Sequence, residues 1–187
     1  MKELTTREMQ EVSLEILHTI ASICEKQHFR YALIYGTLIG AVRHKGYIPW
    51  DDDVDIMMPR PDYDRLLEYL KENIADYPHL KVFNREECPE YPYMITRISD
   101  QRYRIEMGNE KPFGLGVFID IYPYDGLGDT KEEAVAFGMK GDRLSSFCYQ
   151  ATREHFAIET TTSTFRKLIK YPVYLFSKMI GKDYFQN

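Results

Sequence analysis

The sequence predicts one α/β (α+β) domain built on a mixed β-sheet flanked by helices. Segments with apolar residues at helical spacing alternate with short apolar runs typical of strands. The chain contains no internal repeat and no obvious linker, and its 187 residues are enough for one full hydrophobic core. Its composition is that of an ordinary globular protein, with 44% hydrophobic and 28% charged residues.

The first half of the chain begins with a clear helix signal. Thr5 and Glu8 form a capping-box pattern ahead of apolar residues at helical spacing, which predicts a helix from about residue 6 to residue 26. The predicted elements that follow are a buried strand at 31–35, a helix at 38–44 and a strand at 51–58 that is rich in aspartate at its start.

The second half continues the alternation. Pro61 is expected to start a helix that ends near residue 77. The later predictions are strands at 80–83, 93–98 and 103–107, a glycine-rich turn at 111–116, an apolar strand at 115–122, a helix at 130–149 and helical structure at 163–182 on both sides of Pro172. We expect residues 1–162 to form the domain, and residues 163–187 to be a basic helical segment that starts a longer or truncated C-terminal region.

The bulk properties exclude several classes of protein. A net charge of −5 argues against sequence-independent binding of nucleic acid, because contact with phosphate backbones needs clustered Lys and Arg. The three cysteines are widely spaced and form no CxxC pair, so neither a zinc site nor a disulfide framework is predicted. No apolar signal core opens the chain and no run of 18 apolar residues occurs. We therefore expect a cytoplasmic protein.

Two aspartates near the middle of the chain predict a metal site. Residues two apart on a strand face the same side, so Asp53 and Asp55 are expected to project together. Two such charges repel each other unless a cation lies between them. Carboxylate oxygens select hard ions, so Mg²⁺ or Mn²⁺ is the expected cofactor.

A third aspartate extends this prediction. Asp120 interrupts the apolar run 117–121, where an unpaired carboxylate would be costly. We expect it to find its partner in the metal held by Asp53 and Asp55. Three carboxylates can hold two ions that bridge a phosphate.

The turn Gly36-Thr37 is a candidate phosphate-binding element. A glycine before a helix lets backbone N–H groups approach a phosphate, and Thr37 is expected to cap that helix. Arg43, Lys45 and Arg60 are candidates to neutralise the remaining phosphate charge.

Each of these features also has a simpler interpretation. A lone Gly-Thr is often only a turn, an aspartate cluster can be a solvated loop, and the three basic residues can be exposed surface charges. A calcium loop starting at Asp51 fails, because Ile56 stands at its glycine position and Asp62 at its final glutamate position. The chain has no Walker loop, HExxH or GxSxG motif.

Two stretches of the chain closely resemble the signatures of the LicD family. The first runs from residue 35 to residue 60 and contains PWDDDVD at 49–55, and the second is FIDIYPYDG at 118–126. The resemblance covers about residues 31–126, and its PWDDDxD element is highly specific. The family's further Tyr-Gly-Asp-Tyr-Met segment has no match after Gly126, which suggests a truncated chain.

The resemblance implies a nucleotidyltransferase-like fold shared with the fukutin-type transferases. It also implies a metal-dependent transfer of a phospho-alcohol group from a CDP-alcohol, typically phosphocholine from CDP-choline, with release of CMP. Related members move ribitol phosphate or glycerol phosphate. The acceptor is a sugar hydroxyl of a cell-surface glycan such as lipopolysaccharide, teichoic acid or capsule, in some cases lipid-linked. Asp53, Asp55 and Asp120 match the metal-binding aspartates of the family, and Gly36-Thr37 matches its phosphate-binding turn.

In the hypothetical mechanism, Asp53 and Asp55 hold the metal on the diphosphate, and Asp120 shares the second ion and helps to remove the proton of the attacking hydroxyl. Two alternatives stay open: a nucleotidyltransferase that uses an NTP donor, and a non-catalytic truncated family member.

Two further features bear on substrate and location. The trimethylammonium group of choline needs an aromatic or acidic pocket, for which the candidates are Tyr91, Tyr93, Tyr103, Tyr122 and Tyr124. Residues 163–182 mix apolar side chains with five Lys and Arg. This segment resembles a basic helix in peripheral contact with the inner face of the membrane, although a helix that packs on further chain is the preferred interpretation.

Overall fold

The structure is a computed structural model, and it describes residues 3–106, 109, 113–156 and 164–186. By its internal contacts the chain divides into two compact units. The first consists of residues 1–87, 95–105 and 114–125, and the second of residues 88–94, 106–113 and 126–187. The predicted domain boundary between residues 162 and 163 lies outside the described residues.

The first unit contains the whole β-sheet. Its elements are α1 (Thr6–Gln27), β1 (Ala32–Leu33), α2 (Tyr35–His44), β2 (Asp55–Pro59), α3 (Arg60–Asn73), a 3₁₀ turn (Ile74–Asp76), β3 (Leu80–Phe83), β4 (Thr96–Asp100) and β5 (Val117–Tyr124). The strands lie in the order β1-β2-β5-β4-β3. The central pair β2–β5 is parallel and the other pairs are antiparallel, so the sheet is mixed as predicted.

The two faces of this sheet differ in chemistry. Alternate residues of β2, β4 and β5, among them Ile56, Ile98 and Ile119, are fully buried in a core with α1 and α3. The side chains in between include Asp55, Arg97 and Asp120, so the opposite face carries charge. This division places Asp55, Arg97 and Asp120 on one surface.

The described part of the second unit contains the helices α4 (Lys131–Thr152), α5 (Thr164–Ile180) and α6 (Lys182–Gln186). Thr130 and Glu133 form a capping box that starts α4. Pro172 lies inside α5, as the prediction of helix on both sides of it requires.

Most of the predicted elements are confirmed, with shifted boundaries and one exception. The capping box of Thr5 and Glu8 starts α1 as expected. However, α2 begins three residues earlier than predicted and β2 begins only at Asp55, so the region 51–54 is loop. No strand forms at residues 103–106, and residue 107 lies outside the described residues, as do residues 111 and 112 of the predicted turn.

The three cysteines are free thiols, and we expect only Cys88 to react in the folded protein. Cys24 is buried, and burial followed by the charge of Asp62 raises the pKa of its thiol to about 11. Cys148 is also buried, and its Sγ donates to the Pro92 carbonyl. Because the thiolate is the reactive form, iodoacetamide at pH 7.5 should label Cys88 alone, as mass spectrometry of peptides would measure.

Labelling in denaturant should then reach all three cysteines. A Cys88→Ser variant serves as the control and should stay unlabelled while folded. Rapid native labelling of Cys24 or Cys148 would contradict this packing.

Candidate active site

Three charged side chains lie next to each other across the central strands of the sheet. Asp55 on β2 and Asp120 on β5 are direct partners in the parallel pair, and Arg97 on β4 is the partner of Asp120 on its other side. Arg97 Nε donates to Asp120 Oδ1 at 2.8 Å, and its Nη2 donates to Oδ2 at 3.5 Å. All three are nearly buried, so their charges interact strongly.

Arg97 is therefore the partner of the Asp120 carboxylate. The apolar setting of Asp120 predicted a partner, and the metal was expected in that role. In the described structure the partner is a guanidinium that also lies 4.1 Å from the centre of the Phe118 ring. Burial raises the pKa of Asp120, and the charge and hydrogen bonds of Arg97 lower it.

Asp53 lies in the loop before β2, which corrects the argument that placed it on the strand. Residues 51–54 are not part of the ladder, so strand alternation does not align Asp53 with Asp55. Their charges are nevertheless close. Partial desolvation and then the charge of Asp51 raise the pKa of Asp53 to about 6. Burial and then the charges of Asp53 and Asp120 raise the pKa of Asp55 to about 7.

The start of α2 closes over this acidic group. Thr37 Oγ1 accepts a hydrogen bond of 2.9 Å from the backbone N–H of Asp55, which joins the helix to β2. The residue at the N-cap is Ile34, so the prediction that Thr37 caps the helix is wrong. Gly36 lies against the Asp51 carboxylate so closely that a Cβ at this position would overlap it.

The loop that carries the aspartates is held by two buried polar residues of α1. Gln10 Nε2 donates to the Asp51 carbonyl at 2.7 Å and to the Ile48 carbonyl at 3.4 Å. The Ser13 and Tyr47 hydroxyls share a hydrogen bond of 2.8 Å. Since buried polar groups are costly unless paired, these bonds fix the position of the loop relative to α1.

Two tyrosines stand beside the acids. The rings of Tyr35 and Tyr122 meet edge to face, with their centres 5.5 Å apart. Burial, followed by the charges of Asp120 and Asp55, raises the pKa of Tyr122 far above its usual value. Tyr35 has a φ of 46°, in the left-handed region that costs a non-glycine residue about 1 kcal/mol or more. Such strain at a strand-to-helix junction is typical of functional sites.

The predicted phosphate-binding cations are not brought together. Arg43 is exposed near the C-terminal end of α2, and Lys45 caps that helix with a φ of 58°. Arg60 lies at the other end of β2 from Asp55, roughly 16 Å away at the usual rise of a strand. Its Nε and Nη2 each donate a hydrogen bond of 2.6 Å to the Asp125 carboxylate. The role of these three residues stays a prediction.

Comparison with known proteins identifies the family. A model of the LicD/FKTN/FKRP nucleotidyltransferase domain matches residues 28–151, which contain β1 to β5 and the acidic loop. The chain belongs to the LicD family. The chain is similar to the lipopolysaccharide cholinephosphotransferase LicD of Haemophilus influenzae, at 34% identity over 184 residues that cover 96% of this chain and 66% of that protein.

Two rickettsial relatives have no characterised role. An uncharacterised protein of Rickettsia typhi is 31% identical over 87 residues, or 44% of this chain and 28% of that protein. An uncharacterised protein of Rickettsia prowazekii is 38% identical over 56 residues, which cover 30% of this chain and 21% of that protein. The chain therefore spans less than two thirds of the length of these relatives.

The acidic site offers donors of the type that divalent ions prefer, but these donors are not already arranged around one point. Its donors are carboxylates whose pKa values are raised first by burial and then by mutual repulsion, and a cation would relieve that repulsion. Among the residues that the structure describes, no three His, Cys, Asp or Glu side chains already converge on one point. The residues thus fit a metal by their donor type, and the ion stays a prediction.

Sequence reasoning missed five residues of this site: Gln10, Ser13, Tyr35, Tyr47 and Arg97. Arg97 could have been found, because it precedes the core residue Ile98 on β4 and must therefore face the other side of the sheet. Asp120 faces that same side on β5. Gln10 and Ser13 occupy core positions of α1, where a polar residue is a signal of a buried hydrogen bond.

Proposed function

We propose that the chain transfers phosphocholine from CDP-choline to a sugar hydroxyl of a cell-surface glycan, with release of CMP. The observation that carries the proposal is the cluster of Asp53, Asp55 and Asp120 in a chain 34% identical to a lipopolysaccharide cholinephosphotransferase. Ribitol and glycerol phosphate are the competing groups within the same chemistry.

The reaction is a displacement at phosphorus. The acceptor hydroxyl forms a new P–O bond to the β-phosphorus, and the bond from that phosphorus to the bridging oxygen breaks as CMP leaves. Bound Mg²⁺ or Mn²⁺ would neutralise the charge of the diphosphate. Asp53 and Asp55 are assigned to hold the ion, and Asp120 is assigned to accept the proton of the hydroxyl. Arg97 holds the Asp120 carboxylate in place for that transfer.

Calorimetric titration of the purified chain tests the proposal. CDP-choline, CDP-ribitol, CDP-glycerol and CTP are each titrated with and without Mg²⁺. We expect Mg²⁺-dependent binding of CDP-choline that is lost in Asp53→Asn. Binding of CTP alone, followed by release of pyrophosphate on addition of an acceptor, would instead support a nucleotidyltransferase, and the absence of any nucleotide binding would contradict both.

Replacing Gly36 tests whether activity depends on the position of the Asp51 carboxylate, which lies against the start of α2. In Gly36→Ala the new methyl group must displace the Asp51 carboxylate, and the charge pattern around Asp53 changes with it. We expect kcat/KM for CDP-choline to fall by roughly 10–100-fold, the effect typical of a shift of about 1 Å in a catalytic group. The melting temperature should change little, because the side chain of Asp51 can move.

The matched control for this change is Gly138→Ala, also inside a helix. Nothing lies within 4 Å of a Cβ added there, so activity should be unchanged. Equal activity of both variants would show that the position of Asp51 has no role.

We also propose that α5 makes peripheral contact with an anionic membrane surface on the cytoplasmic side. Within the described part of the chain, no helix is long and apolar enough to cross a membrane. Leu168 and Met179 lie on one stripe of α5 and are 70% and 77% exposed, whereas Tyr174 and Ser177 on the other side are buried. The helix has four Lys and Arg and no acidic residue, which favours anionic lipid.

Sedimentation with vesicles tests this contact. The chain should pellet with vesicles containing anionic lipid and be released by replacing Leu168 and Met179 with Glu. Retention in solution with all vesicles would favour the alternative, that this stripe packs on protein.

A further inference from the structure

A cavity of about 440 Å³ lies between α1, α2 and the loop that precedes β2. Its walls are mostly aliphatic, and they are contributed by Leu14, Leu17, Leu33, Ala41, Ile48 and Val54. A volume of this size is at the scale of a small-molecule site and well above that of a packing defect. None of the residues assigned above to the reaction of the acceptor hydroxyl lines it.

The cavity is continuous with the acidic site. Gly36 and Thr37 line it from the start of α2, and Asp51 lines it from the loop that carries the acids, where its carboxylate lies against Gly36. Thr37 is hydrogen-bonded to the backbone of Asp55, so this wall is fixed to the first residue of β2. A molecule whose phosphate lies at Asp53 and Asp55 can therefore extend its other end into the cavity.

The walls provide few hydrogen-bonding groups for a ligand. The Thr37 hydroxyl already accepts from Asp55, and the Tyr47 hydroxyl is bonded to Ser13. Lys45 is exposed, so its charged end is available to water. A group with several hydroxyls, or a pyrimidine base with its three polar positions, would lose several bonds to water, and the Asp51 carboxylate would replace only part of them.

A quaternary ammonium group has the opposite requirements. It has no hydrogen-bonding group to lose, and it is stabilised by apolar contact, by an aromatic ring and by a nearby negative charge. In this cavity Ile48 and Leu17 provide apolar contact. Tyr47 provides the aromatic ring and Asp51 the negative charge. The chemistry of the walls thus matches a methylated cation better than a polyol.

We propose that this cavity binds the trimethylammonium end of choline, and so selects CDP-choline over CDP-ribitol and CDP-glycerol. This inference rests on the proposed function. It assigns the choice of alcohol to the region between α1 and α2, and it assigns Gln10 and Ser13 as positioning residues that hold Ile48, Asp51 and Tyr47 at the cavity.

Filling the cavity tests the inference. In Ala41→Leu the added carbons should take up space inside it, whereas Ala136→Leu places the same change on the exposed surface of α4. With Mg²⁺ present, we expect the dissociation constant for CDP-choline to rise at least 10-fold in Ala41→Leu and to stay unchanged in Ala136→Leu. Binding of CMP should be unaffected in both, since CMP has no choline. Circular dichroism checks that both variants are folded.

A second variant removes the aromatic ring. Tyr47→Leu keeps an apolar wall, so it should reduce the preference for CDP-choline over CDP-glycerol by about 5–10-fold, the scale of a cation–π contact. Unchanged CDP-choline binding in both Ala41→Leu and Tyr47→Leu would overturn the inference and leave the proposed function standing. Equal weakening of CMP and CDP-choline would place the nucleotide in the cavity and also overturn it. Failure of the wild-type chain to bind any CDP-alcohol would instead reject the proposed function, and the inference with it.

Discussion

Asp55→Asn should abolish turnover of CDP-choline, by 10³-fold or more, and leave the fold intact. The change keeps the volume of the side chain and the backbone hydrogen bond to Thr37, because that bond involves the Asp55 N–H. What it removes is one negative charge at the buried centre of the site, between Asp53 and Asp120. A neutral amide is a poor ligand for Mg²⁺ compared with a carboxylate, so the donor diphosphate would lose its counter-ion.

Release of CMP in single-turnover assays would measure this loss, and thermal melting would check the fold. The melting temperature of the metal-free variant should equal or exceed that of the wild type, because the substitution also relieves repulsion between the acids. Asp52→Asn is the matched control, because it removes the same charge from an exposed side chain that lies three residues before Asp55. Full activity of Asp55→Asn, or equal loss in both variants, would remove Asp55 from the proposed mechanism.

Arg97→Met should lower the free energy of unfolding by about 3–5 kcal/mol at neutral pH, the range for removing one partner of a buried ion pair. The side chains of Arg97 and Asp120 are 11% and 9% exposed, so water does little to replace the lost guanidinium. Urea denaturation would measure the change. The exposed Arg143→Met on α4 is the control and should cost less than about 0.5 kcal/mol.

A second substitution separates charge from packing. Asp120→Asn in the Arg97→Met background removes the carboxylate left without its partner, so it should restore part of the stability but none of the activity. The free energy of unfolding of the single variant Arg97→Met should also rise as the pH is lowered. Burial raises the pKa of Asp120 and Arg97 opposes this, so without Arg97 the carboxyl takes up a proton more readily in the folded state than in the unfolded state. A loss of stability that does not depend on residue 120 would attribute the role of Arg97 to packing on Phe118.

Several features could be predicted from the sequence because they depend on neighbouring residues. The capping box at Thr5 and Glu8 starts α1, the apolar run around Asp120 forms β5, and the PWDDDVD element identifies the LicD family. The signals for these features lie within a few residues of one another. The start of β2 was misplaced because a row of aspartates resembles a strand end as closely as it resembles a loop.

The tertiary structure alone decided which charges meet. Arg97 and Asp120 are 23 residues apart, and Gln10 and Asp51 are 41 residues apart. The first pair depends on the placement of β4 beside β5, and the second on the packing of α1 against the core face of the sheet. The sequence by itself therefore determined which carboxylates this protein has and the family it belongs to. Strand order and register decided that an arginine holds one of them, because long-range burial of the core, and no local pattern, sets which strands become neighbours.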